Sequence, residues 1–184
     1  MPLRRLLSLF ESTSDTASDN PFASALAEHL TRFPPERLEY LAGFAGQLTR
    51  VAYSDDDLSD VERETISAIL TKRAGLSESE AGVVIDLLLG QIKLLRGTEE
   101  YRLNRALNDH ATREEREAVV DCLFAVAAAD DSVSNVEDLE IRKIGHALEI
   151  PNERIMDIRG RYRDRLEILK VAEAARRGDA PGES

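Results

Sequence analysis

The residues of this chain best suited to chemistry are carboxylates, and they come in two matched sets. One is Asp55-Asp56-Asp57-Leu58-Ser59-Asp60-Val61-Glu62 and the other is Asp130-Asp131-Ser132-Val133-Ser134-Asn135-Val136-Glu137, with Asp130 following Asp55 by 75 positions. The register continues outward through Val51/Val126, Ala52/Ala127, Ile66/Ile141 and Ile69/Ile144. Self-similarity at a fixed spacing is the mark of one supersecondary unit used twice. The unit reads as a helix, an acidic turn with an aliphatic plug, and a second helix opened by Ser-x-x-Glu.

Two chemistries fit this pattern. In the first, Ser59 with Glu62 and Ser134 with Glu137 cap their helices reciprocally, and nearby carboxylates are favoured by the new helix N-terminus. In the second, Asp55, Asp56, Glu62, Asp130, Asp131 and Glu137 are metal ligands. Each Asp pair follows a helix C-terminus whose carbonyl oxygens point outward, so the turn gathers the oxygen donors that suit a divalent cation such as Ca²⁺ or Mg²⁺. Neither turn is an EF-hand. Counted from Asp55, the turn glycine is replaced by Asp60 and the final bidentate Glu by Ile66.

No enzyme site competes with these turns. The chain has no phosphate-cradling glycine loop and no nucleophile elbow. His29, His110 and His146 lack ligand spacing to one another or to cysteine, and the single Cys122 lies in an apolar run and reads as core filler. One cysteine also excludes an internal disulfide.

The elements that position the turns are helices. Apolar residues recur at Leu38, Leu41, Ala45, Leu48 and Val51 behind Pro35. Ser59, Ser77, Thr112 and Ser134 each stand three residues before a Glu, opening four helices, and Gly75 closes the first of them. The third helix is expected to reach Arg96 and end at Gly97. Thr98 is expected to cap a short helix through Leu107. After Pro151, Ile155, Ile158, Tyr162, Leu166 and Leu169 form one stripe of a final helix whose other face carries Arg154, Arg159, Arg161, Arg163 and Arg165. Those arginines are expected to pair with the acidic body of the protein itself. The fold class is all-α, a single compact bundle.

Composition agrees. The chain is 42% hydrophobic and 32% charged, which suits a packed domain, and only 5% aromatic with no Trp, which favours helices over strands. With 24 Lys+Arg against 35 Asp+Glu the net charge is −11, so nucleic acid is not an expected partner. Residues 1–20 read as an amphipathic segment followed by a polar acidic linker, 21–172 as the helical domain and 173–184 as a disordered tail. No apolar run spans a bilayer, and the N-terminal segment lacks a cleavage site. The segment is expected to dock on the body, to fray, or to touch a membrane surface. The expected location is cytoplasmic, with peripheral contact to the inner membrane as an option, and the expected partners are proteins.

The two acidic turns resemble those of the TerB family, the tellurite resistance and TerB-like helical domains, in which an A-D-G-x-[IL]-[ST]-x-x-E turn occurs, often twice. The likeness runs from about Leu38 to Leu166 and includes Tyr101 through Arg116. Asp56 and Asp131 stand where that family usually has Gly. The resemblance implies a bundle of seven or eight helices, a non-catalytic role in tellurite resistance or chemical stress response, and metal binding by acidic residues, carried here to Asp55, Glu62, Asp130 and Glu137. The alternative function is a protein–protein interaction or scaffold domain whose acidic turns only cap helices.

Overall fold

A computed structural model describes residues 20–53, 58–90, 98–129 and 132–170, with residues 98 and 99 described by their backbone alone. Among them are eight α-helices: α1 (Pro21–His29), α2 (Pro35–Ala52), α3 (Asp60–Ala74), α4 (Glu78–Gly90), α5 (Thr98–His110), α6 (Arg113–Ala127), α7 (Asn135–Ala147) and α8 (Asn152–Gly160), followed by a 3₁₀ turn at Arg163–Arg165. The all-α bundle is as the sequence predicts.

The central element is α2, which packs against α1, α3, α4, α5 and α6. Its sequence permits this, because Leu41, Phe44, Ala45, Leu48 and Val51 supply one core face, while Ala42, Gln47 and Thr49 are fully buried on other sides of the helix. Two glycines set how closely α5 approaches. A Cβ on Gly43 would stand 2.9 Å from the Leu103 carbonyl oxygen, and one on Gly46 would stand 2.6 Å from a Leu103 methyl. At the same contact the buried Gln47 donates from Nε2 to Asn104 Oδ1 at 2.8 Å, which fixes the register of α5 on α2.

The duplication is structural as well. The α2–α3–α4 unit is matched by α6–α7–α8, and α3 and α7 both end in a left-handed residue, Gly75 at φ 72° and Glu149 at φ 57°. The buried Leu76 and Ile150 come directly after them. The left-handed conformation is free of strain for Gly75 and costs Glu149 energy that a glycine would not incur.

Three expectations need correction. The final helix stops at Gly160. The chain turns through Arg163–Arg165, and Leu166 is 1% exposed and forms an isolated bridge with Val133. The break is tertiary in origin: the Tyr162 hydroxyl donates to the Asp121 carbonyl at 2.9 Å, and its ring stacks on Phe124 with centroids 5.5 Å apart. The helix at Thr98 runs to His110, three residues past Leu107. A helix at Pro21–His29, capped by Asn20, also precedes those read from the sequence. The third helix is described to Gly90, and its expected end at Gly97 lies outside the described residues.

The arginine face behaves as expected where its contacts are described. Arg154 pairs with Glu117 at 2.8 Å, Arg159 takes Asp138 with both Nε (2.6 Å) and Nη2 (3.1 Å), and Arg161 reaches Asp121 at 3.1 Å.

Two measurements test this packing. Gly43→Ala should destabilise the protein by roughly 1–3 kcal/mol in urea unfolding, because backbone blocks the new methyl. Gly82→Ala, where a Cβ meets nothing within 4 Å, should stabilise it by about 0.5–1 kcal/mol. Glu80 joins the α3–α4 turn to the body, accepting from Arg32 at 2.7 Å and from the Ser77 amide at 2.7 Å. The Arg32 hydrogen bonds first, and the Ser77 amide second, hold its carboxyl down to about 2. A depressed folded value means that the link contributes fully above the ordinary carboxylate range and is lost as pH falls toward 2. Carboxyl NMR titration should show the Glu80 midpoint moving back up in Arg32→Ala.

Candidate functional site

Each acidic turn is anchored on both sides by local hydrogen bonds. At the end of α2 the Tyr53 amide donates to Thr49 O at 2.9 Å, and at the end of α6 the Ala128 amide donates to Phe124 O at 3.0 Å. Beyond the turns, Ser59 (φ −67°, ψ 155°) and Ser134 (φ −65°, ψ 161°) take nearly the same N-cap conformation. Both capping boxes are complete. Ser59 Oγ accepts from Glu62 N at 3.2 Å while Glu62 Oε2 accepts from Ser59 N at 2.9 Å. Ser134 Oγ accepts from Glu137 N at 3.2 Å while Glu137 Oε2 accepts from Ser134 N at 2.8 Å. Asp55, Asp56, Asp130 and Asp131 lie outside the described residues.

The two copies differ just beyond the acidic pair. Val133 is 1% exposed, donates to Arg165 O at 2.8 Å and accepts from Glu167 N at 3.1 Å. The second turn is thereby stitched to the segment after α8. Leu58, its counterpart, is half-buried and packs on the core.

The described flanks of both turns stand at the same end of the bundle. In the last turn of α2, Arg50 bridges Glu100 in the first turn of α5, at 3.0 Å, and Glu140 in the first half of α7. At the opposite end, Asn108 near the close of α5 donates to Ala147 O at 3.0 Å and accepts from Arg116 near the start of α6 at 2.9 Å. Arg116 also donates to Leu148 O at 3.0 Å. The end of α2, the start of α7 and therefore the end of α6 are together.

The electrostatics there are mixed. The N-termini of α3, α5 and α7 point into this end and favour negative charge, while the C-termini of α2 and α6 disfavour it and favour cations. Arg50 supplies one such cation. Its side chain is only 12% exposed, and Nη1 is buried without a hydrogen-bond partner among the described residues. It has no equivalent in the second copy, where Ala125 takes its place. Sequence reading missed Arg50; the signal was a charged residue inside an otherwise apolar stretch of helix. Among the described residues no three His, Cys, Asp or Glu side chains gather as metal ligands would.

Cys122 is buried, as expected, and burial pushes its thiol up to about 11, so it is protonated and inert at neutral pH. No described helix is long and apolar enough to cross a membrane.

Among known proteins, the family model described as tellurite resistance protein TerB matches residues 41–160, which span α2 to α8 and both acidic turns. No curated protein and no solved structure matches the chain.

The capping boxes predict a simple result. Ser59→Ala and Ser134→Ala should each cost about 1 kcal/mol of unfolding free energy. The loss should be the same with and without a chelator, because the hydroxyls serve the helix and not a metal.

Proposed function

The chain belongs to the TerB family, and on that premise we propose that it is a non-enzymatic helical module of tellurite resistance or chemical stress response that takes up a divalent cation at its acidic end. The observation that supports this reading is that the described residues flanking the two equivalent acidic stretches lie at one end of the bundle. In the sequence Asp55, Asp56, Asp130 and Asp131 come soon after the C-termini of α2 and α6, whose outward carbonyls would add oxygen donors for a hard cation. Glu62 and Glu137 shape the turns through their capping boxes, so the ligand role falls mainly to the aspartates.

A second reading rests on a different observation. Val61 and Val136 hold the same place in the two copies, directly after the acidic turns, and are 49% and 64% exposed. Aliphatic side chains repeated at an acidic end suit a partner protein with a basic, apolar face. In that reading the module is a scaffold, in the cytoplasm or at the inner membrane surface, and its aspartates only complement that partner.

Calorimetric titration of metal-stripped protein with Ca²⁺, Mg²⁺, Mn²⁺ and Zn²⁺ separates the two. Saturable binding that Asp55→Asn/Asp130→Asn loses, with the fold intact by circular dichroism, is the expected outcome. A folded wild-type protein that binds none of the four ions rejects the cation reading and leaves the scaffold.

A further inference from the structure

A cavity of about 190 Å³ opens at the opposite end of the bundle from Arg50, where the N-terminal parts of α2 and α6 meet the last turn of α3. Its wall is largely apolar: Tyr40, Phe44, Val119 and Cys122 line it, and all four belong to the hydrophobic core. An apolar space of about 150 Å³ is enough to take a benzene ring. This one therefore has room for a single aromatic ring or a short aliphatic chain, and not for a drug-sized molecule.

The rim is cationic. The Arg37 guanidinium lies over the Tyr40 ring, 4.6 Å from its centroid, and donates from Nη2 to Ala74 O at 3.1 Å. That bond carries it to the residue next to Arg73, the second cation on the cavity. Neither arginine has an ion pair among the described residues, whereas Arg32, Arg50, Arg154 and Arg159 are each held by a carboxylate. The carboxylate on the cavity is Glu115, whose Oε2 accepts from the Thr112 amide at 2.8 Å and so serves the cap of its own helix. Burial pushes the Cys122 thiol up to about 11, so it stays neutral and adds no opposing charge. Two guanidiniums against one carboxylate leave this rim net positive on a protein of net charge −11.

We propose that the cavity binds a small apolar carboxylate, its hydrocarbon part against Tyr40, Phe44 and Val119 and its carboxyl oxygens at Arg37 and Arg73. The guanidiniums supply forked donors that match a carboxylate and repel an amine. The apolar wall gives a hydrocarbon group an advantage over a bare hydrated anion. The site is remote from the acidic turns and does not depend on the cation reading.

The test titrates the full chain with phenylacetate in the presence of a chelator while amide NMR signals are followed. Those of Tyr40, Val119 and Cys122 should shift and saturate with a dissociation constant on the order of 1 mM, while that of Val136 stays in place. Acetate, which lacks the ring, and phenethylamine, which reverses the charge, should each bind at least about tenfold more weakly. Arg73→Gln, at an exposed position, should weaken phenylacetate at least about fivefold. Lys72→Gln, exposed and outside the cavity, should change it less than about twofold. Absence of saturable shifts overturns the inference, as does equal binding of acetate or phenethylamine. Unchanged affinity in Arg73→Gln overturns it as well. Every arm is free of metal, so failure of the cation reading leaves these outcomes untouched.

Discussion

Burial of Arg50 organises the acidic end. Its neighbours Thr49 and Val51 are fully buried, so the guanidinium is held where α2 meets the core and cannot simply extend into water. A charge in that position needs carboxylates, because a largely buried guanidinium left unpaired is costly. Glu100 and Glu140 meet the need, and Glu140 is 90 residues away in sequence. The first turn of α5 and the first half of α7 are thereby fastened to the end of α2. Because α7 belongs to the second copy of the duplicated unit and α2 to the first, the same contact brings the described flanks of the two turns to a common end.

The repeat supplies equivalent parts, but the parts do not behave identically. Arg50 has Ala125 as its counterpart, and Val133 is stitched to the segment around Leu166. The second turn is therefore held by backbone hydrogen bonds and the first by a side-chain bridge on the helix before it. Arg50 already holds Glu100 and Glu140, so a cation taken up as proposed would have to draw on other carboxylates. That is a physical reason to look for two sites, one per turn, before a single shared one.

Sequence range decides which features were legible. The caps at Ser59, Ser77, Thr112 and Ser134 join residues three apart, and each forms as read, with the Ser77 amide reaching Glu80 at 2.7 Å. The α3 terminus at Gly75 is equally local. The stripe from Ile155 to Leu169 misled because apolar spacing records which residues are buried and not whether the backbone between them stays helical. Tyr162 and Leu166 are packed, but against Phe124 and Val133 from other elements, and the chain bends to reach them. The helix at Pro21 had its signal, Asn20 before a proline, in a stretch too short to show a period.

The candidate site was legible in its caps and its duplication and illegible in its assembly. Nothing in the order of residues says that Arg50 faces Glu140, since an arginine after a run of apolar residues reads equally well as a helix terminus turned to solvent. Once that pair is known, the rest is geometric. Three helix N-termini and two C-termini converge, and two carboxylates share one guanidinium, which leaves a net negative charge at that end. An acidic end bordered by exposed valines and a tyrosine suits a ligand that combines positive charge with apolar surface better than it suits a small ion alone. The cation reading is thus the narrower claim, and the interaction reading draws on more of the surface.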